Sequence, residues 1–148
     1  MFHKILVPLD RSKRAERILP HVEKLAHDNN ASVVFLSVVS APQVFGYDDL
    51  QYNHFQKEIE ASLEEAEQYV KALQVEFQTK GIEARHRAVM GPVVKEILDT
   101  AKRENVDLVA MCSHGRGGLS RLFYGSVASG VLNRIDRALL IIRARRDI

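Results

Sequence analysis

The chain lacks the features that mark secreted and membrane proteins. Its one cysteine, Cys112, excludes an internal disulfide framework, which fits a reducing compartment. No apolar run approaches the roughly 20 residues that span a bilayer, and the first residues lack the apolar core and small-residue cleavage site of a signal peptide. We therefore expect a cytoplasmic protein without a membrane partner.

An excess of one charge is also missing. The formal net charge is +2, and basic residues are dispersed except for Arg143, Arg145 and Arg146. Such a tail more often solubilises a chain end than contacts nucleic acid, so we predict no nucleic-acid partner. With 148 residues, 46% of them apolar and 27% charged, the sequence predicts one globular domain over residues 1–148.

Short apolar runs alternate with amphipathic stretches along the chain. This alternation predicts right-handed crossovers and a mostly parallel sheet with helices on both faces, an α/β fold. Pro20 is expected to kink the first helix, and residues 41–50 read as a loop. The predicted strands span residues 4–9, 32–39, 82–90, 108–112 and 138–142, and the predicted helices span about 12–28, 52–80, 92–101 and 126–135.

Two polar turns are expected to face one crevice. Strands one and four are short, apolar and apparently central, and they are followed by Asp10-Arg11-Ser12 and Ser113-His114-Gly115. In open parallel sheets, ligands bind beyond the carboxyl ends of the strands, where the strand order reverses. The ends of these two strands are therefore the predicted binding place.

A glycine-rich stretch follows the fourth strand. Three glycines fall within four positions, at 115, 117 and 118, and Gly125-Ser126 then opens a helix. Glycine-rich backbone and a helix N-terminus both favour phosphate. Three glycines alone could equally serve to turn the chain, but the later glycine-serine pair favours binding. The stretch is neither a standard P-loop nor a dinucleotide fingerprint, because it lacks the lysine and the G-x-G-x-x-G spacing.

The sequence resembles the universal stress protein family along essentially its whole length. Its ATP-binding branch carries G-x-x-G, nine residues, then G-[ST]; here Gly115, the nine-residue interval, Gly125 and Ser126 fit, but Cys112 stands at the first glycine. The other motifs that carry the resemblance are Ile5-Leu6-Val7-Pro8-Leu9-Asp10 with Ser12, Val89-Met90-Gly91-Pro92, Met111 through Gly115, and Gly118-Leu119-Ser120-Arg121 leading to Gly125-Ser126-Val127-Ala128.

The resemblance implies a fold, a ligand and a set of roles. The fold would be a five-stranded parallel sheet in the order 3-2-1-4-5, adenine nucleotide alpha hydrolase-like, forming a homodimer through Ala138–Arg143. ATP would be the ligand, with Mg²⁺ arriving alongside it. The implied contacts are Asp10 and Val38 at the adenine and ribose end, Ser113, Gly115, Gly125 and Ser126 at the phosphates, Pro8 shaping the first loop, and Cys112 bordering the site.

Two departures from the family pattern leave alternatives open. A side chain at Cys112 would cost about 1 to 2 kcal/mol if the backbone there needed positive φ. Arg11 replaces a small residue and could contact phosphate or block the pocket. Cys112 itself is more often an apolar filler than a reactive thiol.

Three functional classes follow from these observations. An ATP-binding stress-response or regulatory module leads, with at most slow hydrolysis or phosphorylation at Ser126. A dimeric interaction protein that has lost nucleotide affinity is the second class. A true enzyme is the third, but we assign no catalytic residue, because no general base is evident near the phosphates. The six histidines are scattered, so a protein-only metal site is not expected.

Overall fold

The computed structural model describes residues 1–40, 48–113 and 125–144. The strands and helices alternate as the sequence predicts, and a 3-10 turn, Ala15–Ile18, precedes the first α-helix. The strands are β1 (Lys4–Pro8), β2 (Ser32–Val39), β3 (Ala84–Met90), β4 (Leu108–Ser113) and β5 (Ala138–Arg143). The helices are α1 (Leu19–Asn29), α2 (Asp49–Thr79), α3 (Val93–Arg103) and α4 (Ser126–Arg134).

All five strands are parallel and lie in the order β3-β2-β1-β4-β5, which confirms the predicted fold. The chain moves outward from β1 to β3 on one side, then returns to place β4 on the other side of β1. The order therefore reverses between β1 and β4. In doubly wound sheets this reversal opens a crevice at the carboxyl ends of the two strands.

Successive residues of the strands bury opposite faces of the sheet. Ile5 and Val7 pack into the core beneath α1 and α2, whereas Leu6 packs into the core beneath α3 and α4. All three side chains are fully buried, as expected for a central strand covered on both faces. In the first core, Phe35 and Phe77 meet edge to face, with ring centroids 4.8 Å apart.

The expected kink at Pro20 is wrong. Pro20 lies in the first turn of α1, which begins at Leu19 after the 3-10 turn. Proline is tolerated there because the first N–H groups of a helix have no partner within the helix. The predicted single helix is therefore two short elements in succession.

Helix α2 begins earlier than predicted, so the expected loop at residues 41–50 is wrong at its end. The Asp48 side chain accepts a hydrogen bond from the Gln51 backbone N–H at 2.8 Å, and the Gln51 side chain accepts one from the Asp48 N–H at 3.3 Å. This capping box starts the helix at Asp49. Residues 41–47 of the predicted loop lie outside the described residues.

The boundaries of the strands and of α3 and α4 agree with prediction to within two residues. Strand β3 begins at Ala84 rather than at residue 82, and Pro92 is the N-cap of α3 rather than its first residue. Among the helices of the described ranges, none combines the length and the apolar character that a bilayer crossing requires.

Candidate functional site

A cleft of about 190 Å³ lies at the carboxyl ends of β1 and β4. It occupies the crevice that the strand order predicts. Its walls come from the ends of the strands, the 3-10 turn, α3 and the first turn of α4. The lining residues are Pro8, Leu9, Asp10, Arg14, Ala15, Leu36, Val38, Ser40, Val93, Ile97, Met111, Cys112, Ser113, Val127 and Ala128.

The predicted site residues are largely brought together here. Those that line the cleft are Pro8, Asp10, Val38, Cys112 and Ser113. Gly125 and Ser126 do not line it themselves, but they begin α4, whose next two residues do. Gly115 lies outside the described residues, so its predicted place stays a prediction.

The wall after β1 is held by a compact set of hydrogen bonds. The Asp10 carboxylate accepts from the Ser12 backbone N–H at 3.0 Å and from the Ser12 hydroxyl at 2.5 Å. The same hydroxyl accepts from the Ala15 N–H at 3.1 Å, where the 3-10 turn begins. Asp10 therefore fixes the turn through one carboxylate oxygen while its exposed side chain borders the cleft.

Arg11 points away from the cleft. Its φ is 67°, in the left-handed region that residues other than glycine rarely adopt. Its guanidinium Nη1 lies 3.1 Å from Glu65 Oε2 on α2, and the residue is not part of the cleft lining. The sequence left two roles open for Arg11, contact with phosphate or obstruction of the pocket. Its side chain pairs with Glu65 and does not line the described cleft, so the structure supports neither role.

Cys112, which the family resemblance sets at the first glycine of the motif, is free of backbone strain. It lies within strand β4, paired with Ile142 of β5, and its backbone is extended rather than at positive φ. The anticipated penalty for a side chain therefore does not arise. Burial raises the pKa of the thiol, although Arg17 and the Ile18 backbone N–H act in the opposite direction. A raised pKa lowers the thiolate population, which supports the role of an apolar filler.

The first turn of α4 borders the cleft through Val127 and Ala128. Its N-cap, Gly125, has φ 78° and ψ 156°, a conformation essentially restricted to glycine. No side chain of the described residues caps the helix, and its first turn contains no acidic residue. The unpaired N–H groups and the helix dipole therefore favour an anion at this end. Ser113, at the facing end of β4, is 2% exposed.

Several lining residues were missed from the sequence. Ser40 follows β2 at its carboxyl end, so the rule that selected Asp10 and Ser113 would also have selected it. Val93 and Ile97 belong to the apolar face of α3, and only the packing of α3 over the sheet shows that this face continues into the cleft. Arg14 lines the cleft without any distinctive sequence context.

These features define a doubly wound α/β protein with a ligand cleft at its switch point. Among residues 1–40, 48–113 and 125–144, no group of three or more histidine, cysteine or acidic side chains is arranged to hold a metal ion. The model of the universal stress protein family matches residues 1–143. The chain therefore belongs to the universal stress protein family.

Named universal stress proteins align with nearly the whole chain. Universal stress protein MJ0577 of Methanocaldococcus jannaschii is 27% identical, covering 99% of this chain and 98% of its own length. Universal stress protein Sll1388 of Synechocystis is 26% identical, with coverage of 96% and 98%. A solved structure of MJ0577 superposes with a TM-score of 0.82 at 28% identity, covering 99% of each chain.

Two further solved structures contain nucleotides. One is a universal stress protein in complex with cAMP, with a TM-score of 0.67 and 17% identity over 97% of this chain and 98% of its own. The other is a universal stress protein family protein from Arabidopsis thaliana with AMP bound, with a TM-score of 0.66 and 13% identity over 97% and 92%. At these identities the likeness shows the fold.

Proposed function

We propose that the cleft binds an adenine nucleotide, with ATP as the ligand, and that the protein is a nucleotide-binding stress-response or regulatory module. The observation that carries this proposal is the cleft itself. Its apolar wall and Asp10, the one carboxylate among its described lining residues, lie at the strand-order reversal, beside a helix N-terminus that no described side chain caps. Together they offer apolar side chains for a base and a helix N-terminus for phosphate.

Each part of the cleft has a proposed role. Val38 contacts the base, and Asp10 accepts hydrogen bonds from ribose hydroxyls. Ser113, Gly125 and Ser126 hold the phosphates, joined by Gly115 as the family motif implies. Pro8 and Cys112 shape the wall between the two ends. Mg²⁺ would be bound through the phosphates of ATP.

The nucleotide complexes of family members support this proposal. Both cAMP and AMP contain adenosine, so the shared chemistry is an adenine, a ribose and at least one phosphate. Cys112 and Arg11, the two departures from the family pattern, had favoured an interaction protein without nucleotide affinity. Neither of them now argues strongly against nucleotide binding. Cys112 is accommodated in a strand, and Arg11 is turned toward α2.

We further propose that residues 1–148 act as one domain in a cytoplasmic homodimer. Strand β5 lies at the edge of the sheet, and its apolar residues 139–142 are only partly buried. An apolar edge strand favours pairing with another strand, and a second copy offers the same edge. The oligomeric state can be measured by sedimentation equilibrium with and without Ile141→Lys.

The test is calorimetric titration of the nucleotide-stripped protein with ATP, AMP and cAMP, with and without Mg²⁺. We expect Ser126→Glu to weaken ATP binding by more than about tenfold, because its charge would lie where phosphate binds. The same charge at a helix N-terminus favours the helix, so the stability of the protein should not fall. Loss of binding would then not be a loss of folding.

A pair of glycine variants gives a second, matched comparison. Gly125→Val places a side chain at φ 78° beside the cleft, and Gly81→Val places one at φ 81° after α2, at the other end of the sheet. Both changes strain the backbone, and the strain is greater at Gly125, whose φ and ψ are essentially restricted to glycine, so denaturant unfolding must first establish that each variant is folded. Only Gly125→Val should abolish binding. If the wild-type protein binds no adenine nucleotide, the proposed function is wrong and the interaction protein is favoured.

A further inference from the structure

Helix α2 contacts the wall of the cleft at two points, from the side opposite to the ligand. Glu65 Oε2 lies 3.1 Å from Arg11 Nη1, and the Tyr69 hydroxyl donates to Glu16 Oε2 at 3.0 Å. Glu65 and Tyr69 are four residues apart on α2, so they share one face of the helix. The two contacts therefore act on the same short segment, residues 10–18.

That segment has two sides with different tasks. Asp10, Arg14 and Ala15 line the cleft, whereas Arg11 and Glu16 reach back to α2. The left-handed backbone at Arg11 turns its side chain toward the helix. A residue other than glycine at this φ persists only when its surroundings hold it there. The Asp10–Ser12 hydrogen bonds and the Glu65 ion pair supply that restraint.

We propose that Glu65 and Tyr69 are positioning residues that set the affinity of the cleft by holding segment 10–18 against the end of β4. The affinity readout rests on the proposed nucleotide binding. The placement of the segment does not, because Cys112 lines the same cleft as Asp10, Arg14 and Ala15 and packs against the core that contains Ile18, so a displaced segment would change access to its thiol. Segment position can therefore be measured in the ligand-free protein.

The expected change in nucleotide affinity follows from how far each contact is exposed to water. The Arg11 and Glu65 side chains are 35% and 73% exposed, so their ion pair is screened by water. Breaking it should change affinity by about two- to fivefold. The Tyr69 hydroxyl is better protected: burial, followed by its hydrogen bond with the Glu16 carboxylate, raises the pKa of Tyr69 well above its usual range. Its removal should weaken binding by about fivefold.

The experiment is a double-mutant cycle with Arg11→Glu, Glu65→Arg and the reversed pair, plus Tyr69→Phe. The matched control is Asp28→Lys, which inverts one charge of the exposed Lys24–Asp28 pair on α1, away from the cleft lining. Calorimetric affinity for AMP and the rate of Cys112 alkylation by iodoacetamide without ligand are measured for every variant. Denaturant unfolding establishes that each variant is folded.

The expected result has a specific form. Each single variant weakens AMP binding and accelerates alkylation of Cys112, the reversed pair regains both values to within about twofold, and Asp28→Lys changes neither. Additive effects in the reversed pair, or wild-type alkylation rates in Glu65→Arg and Tyr69→Phe, would overturn the positioning role. If wild type binds no nucleotide, the alkylation rates still decide whether α2 holds the segment, so the two proposals fail separately.

Discussion

Gly130 of α4 packs closely against Val94 of α3, and the substitution Gly130→Ala measures how close that packing is. A Cβ built at Gly130 would lie 2.8 Å from Val94 Cγ2 and 3.3 Å from Val94 Cγ1. Contacts shorter than about 3 Å force atoms to move. Val94 is β-branched and stiff at χ1, so its methyl groups cannot swing away without leaving a preferred rotamer. The added methyl must therefore separate the two helices.

Two effects of opposite sign decide the outcome. Alanine in a helix interior is favoured over glycine by about 1 kcal/mol. Overpacking a tight contact costs about 1 to 3 kcal/mol. We therefore expect Gly130→Ala to lower the free energy of unfolding by about 0 to 2 kcal/mol. The midpoint of thermal unfolding would fall by up to about 8 °C, at 2 to 4 °C per kcal/mol for a chain approaching this size.

The control is the same change in a Val94→Ala background. Without the Val94 methyl groups the clash disappears and only the helix preference remains, so Gly130→Ala should then stabilise by up to about 1 kcal/mol. Urea unfolding followed by circular dichroism gives all four free energies. A stabilisation of similar size in both backgrounds would refute the reasoning, because it would mean that Val94 does not limit the approach of α4.

Two further predictions concern the ends of the sheet. The Asp107 carboxylate accepts the backbone N–H groups of His3 at 2.7 Å and Lys4 at 3.0 Å; burial alone would raise its pKa, but these donors hold it below the usual range. Asp107→Ala should thus cost about 1 to 2 kcal/mol in urea unfolding at pH 7, a difference that disappears as the pH falls through the folded pKa; a difference that persists in acid would contradict this. At the other end, a nucleotide at ten times its Kd should slow Cys112 alkylation about tenfold, because the thiol borders the cleft. Mass spectrometry measures the rate, and an unchanged rate at saturation would place the ligand elsewhere.

The fold could be predicted because short sequence patterns specify its strands and helices. The apolar runs of β1, β2 and β4 are bounded by turn residues, and their alternation with amphipathic helices specifies parallel crossovers. The start of α2 was missed for an equally local reason. Asp48 and Gln51 have the D-x-x-Q spacing of a capping box, a sequence signal that the prediction did not use, and their reciprocal hydrogen bonds show that the box forms.

The cleft was predictable to the extent that it lies at strand ends. Pro8, Asp10 and Ser113 follow from that rule, whereas Val93 enters through the packing of a helix over the sheet. The direction of Arg11 was beyond reach, because it depends on a left-handed φ and on Glu65, 54 residues away. Long-range partners of this kind have no signature in a short motif.

The glycine pattern shows why a motif must be interpreted through its backbone. Gly125 adopts a conformation essentially restricted to glycine, so its identity is demanded by the chain itself. Cys112 stands at another glycine of the same pattern, yet its backbone is that of an ordinary strand residue. A glycine at position 112 would leave more space in the cleft, but the φ at this position does not require it. The cysteine side chain therefore changes the width of the cleft. The side chain at position 112 therefore bears on which ligand fits, while Gly125 bears on whether the proposed phosphate-binding end of the cleft forms.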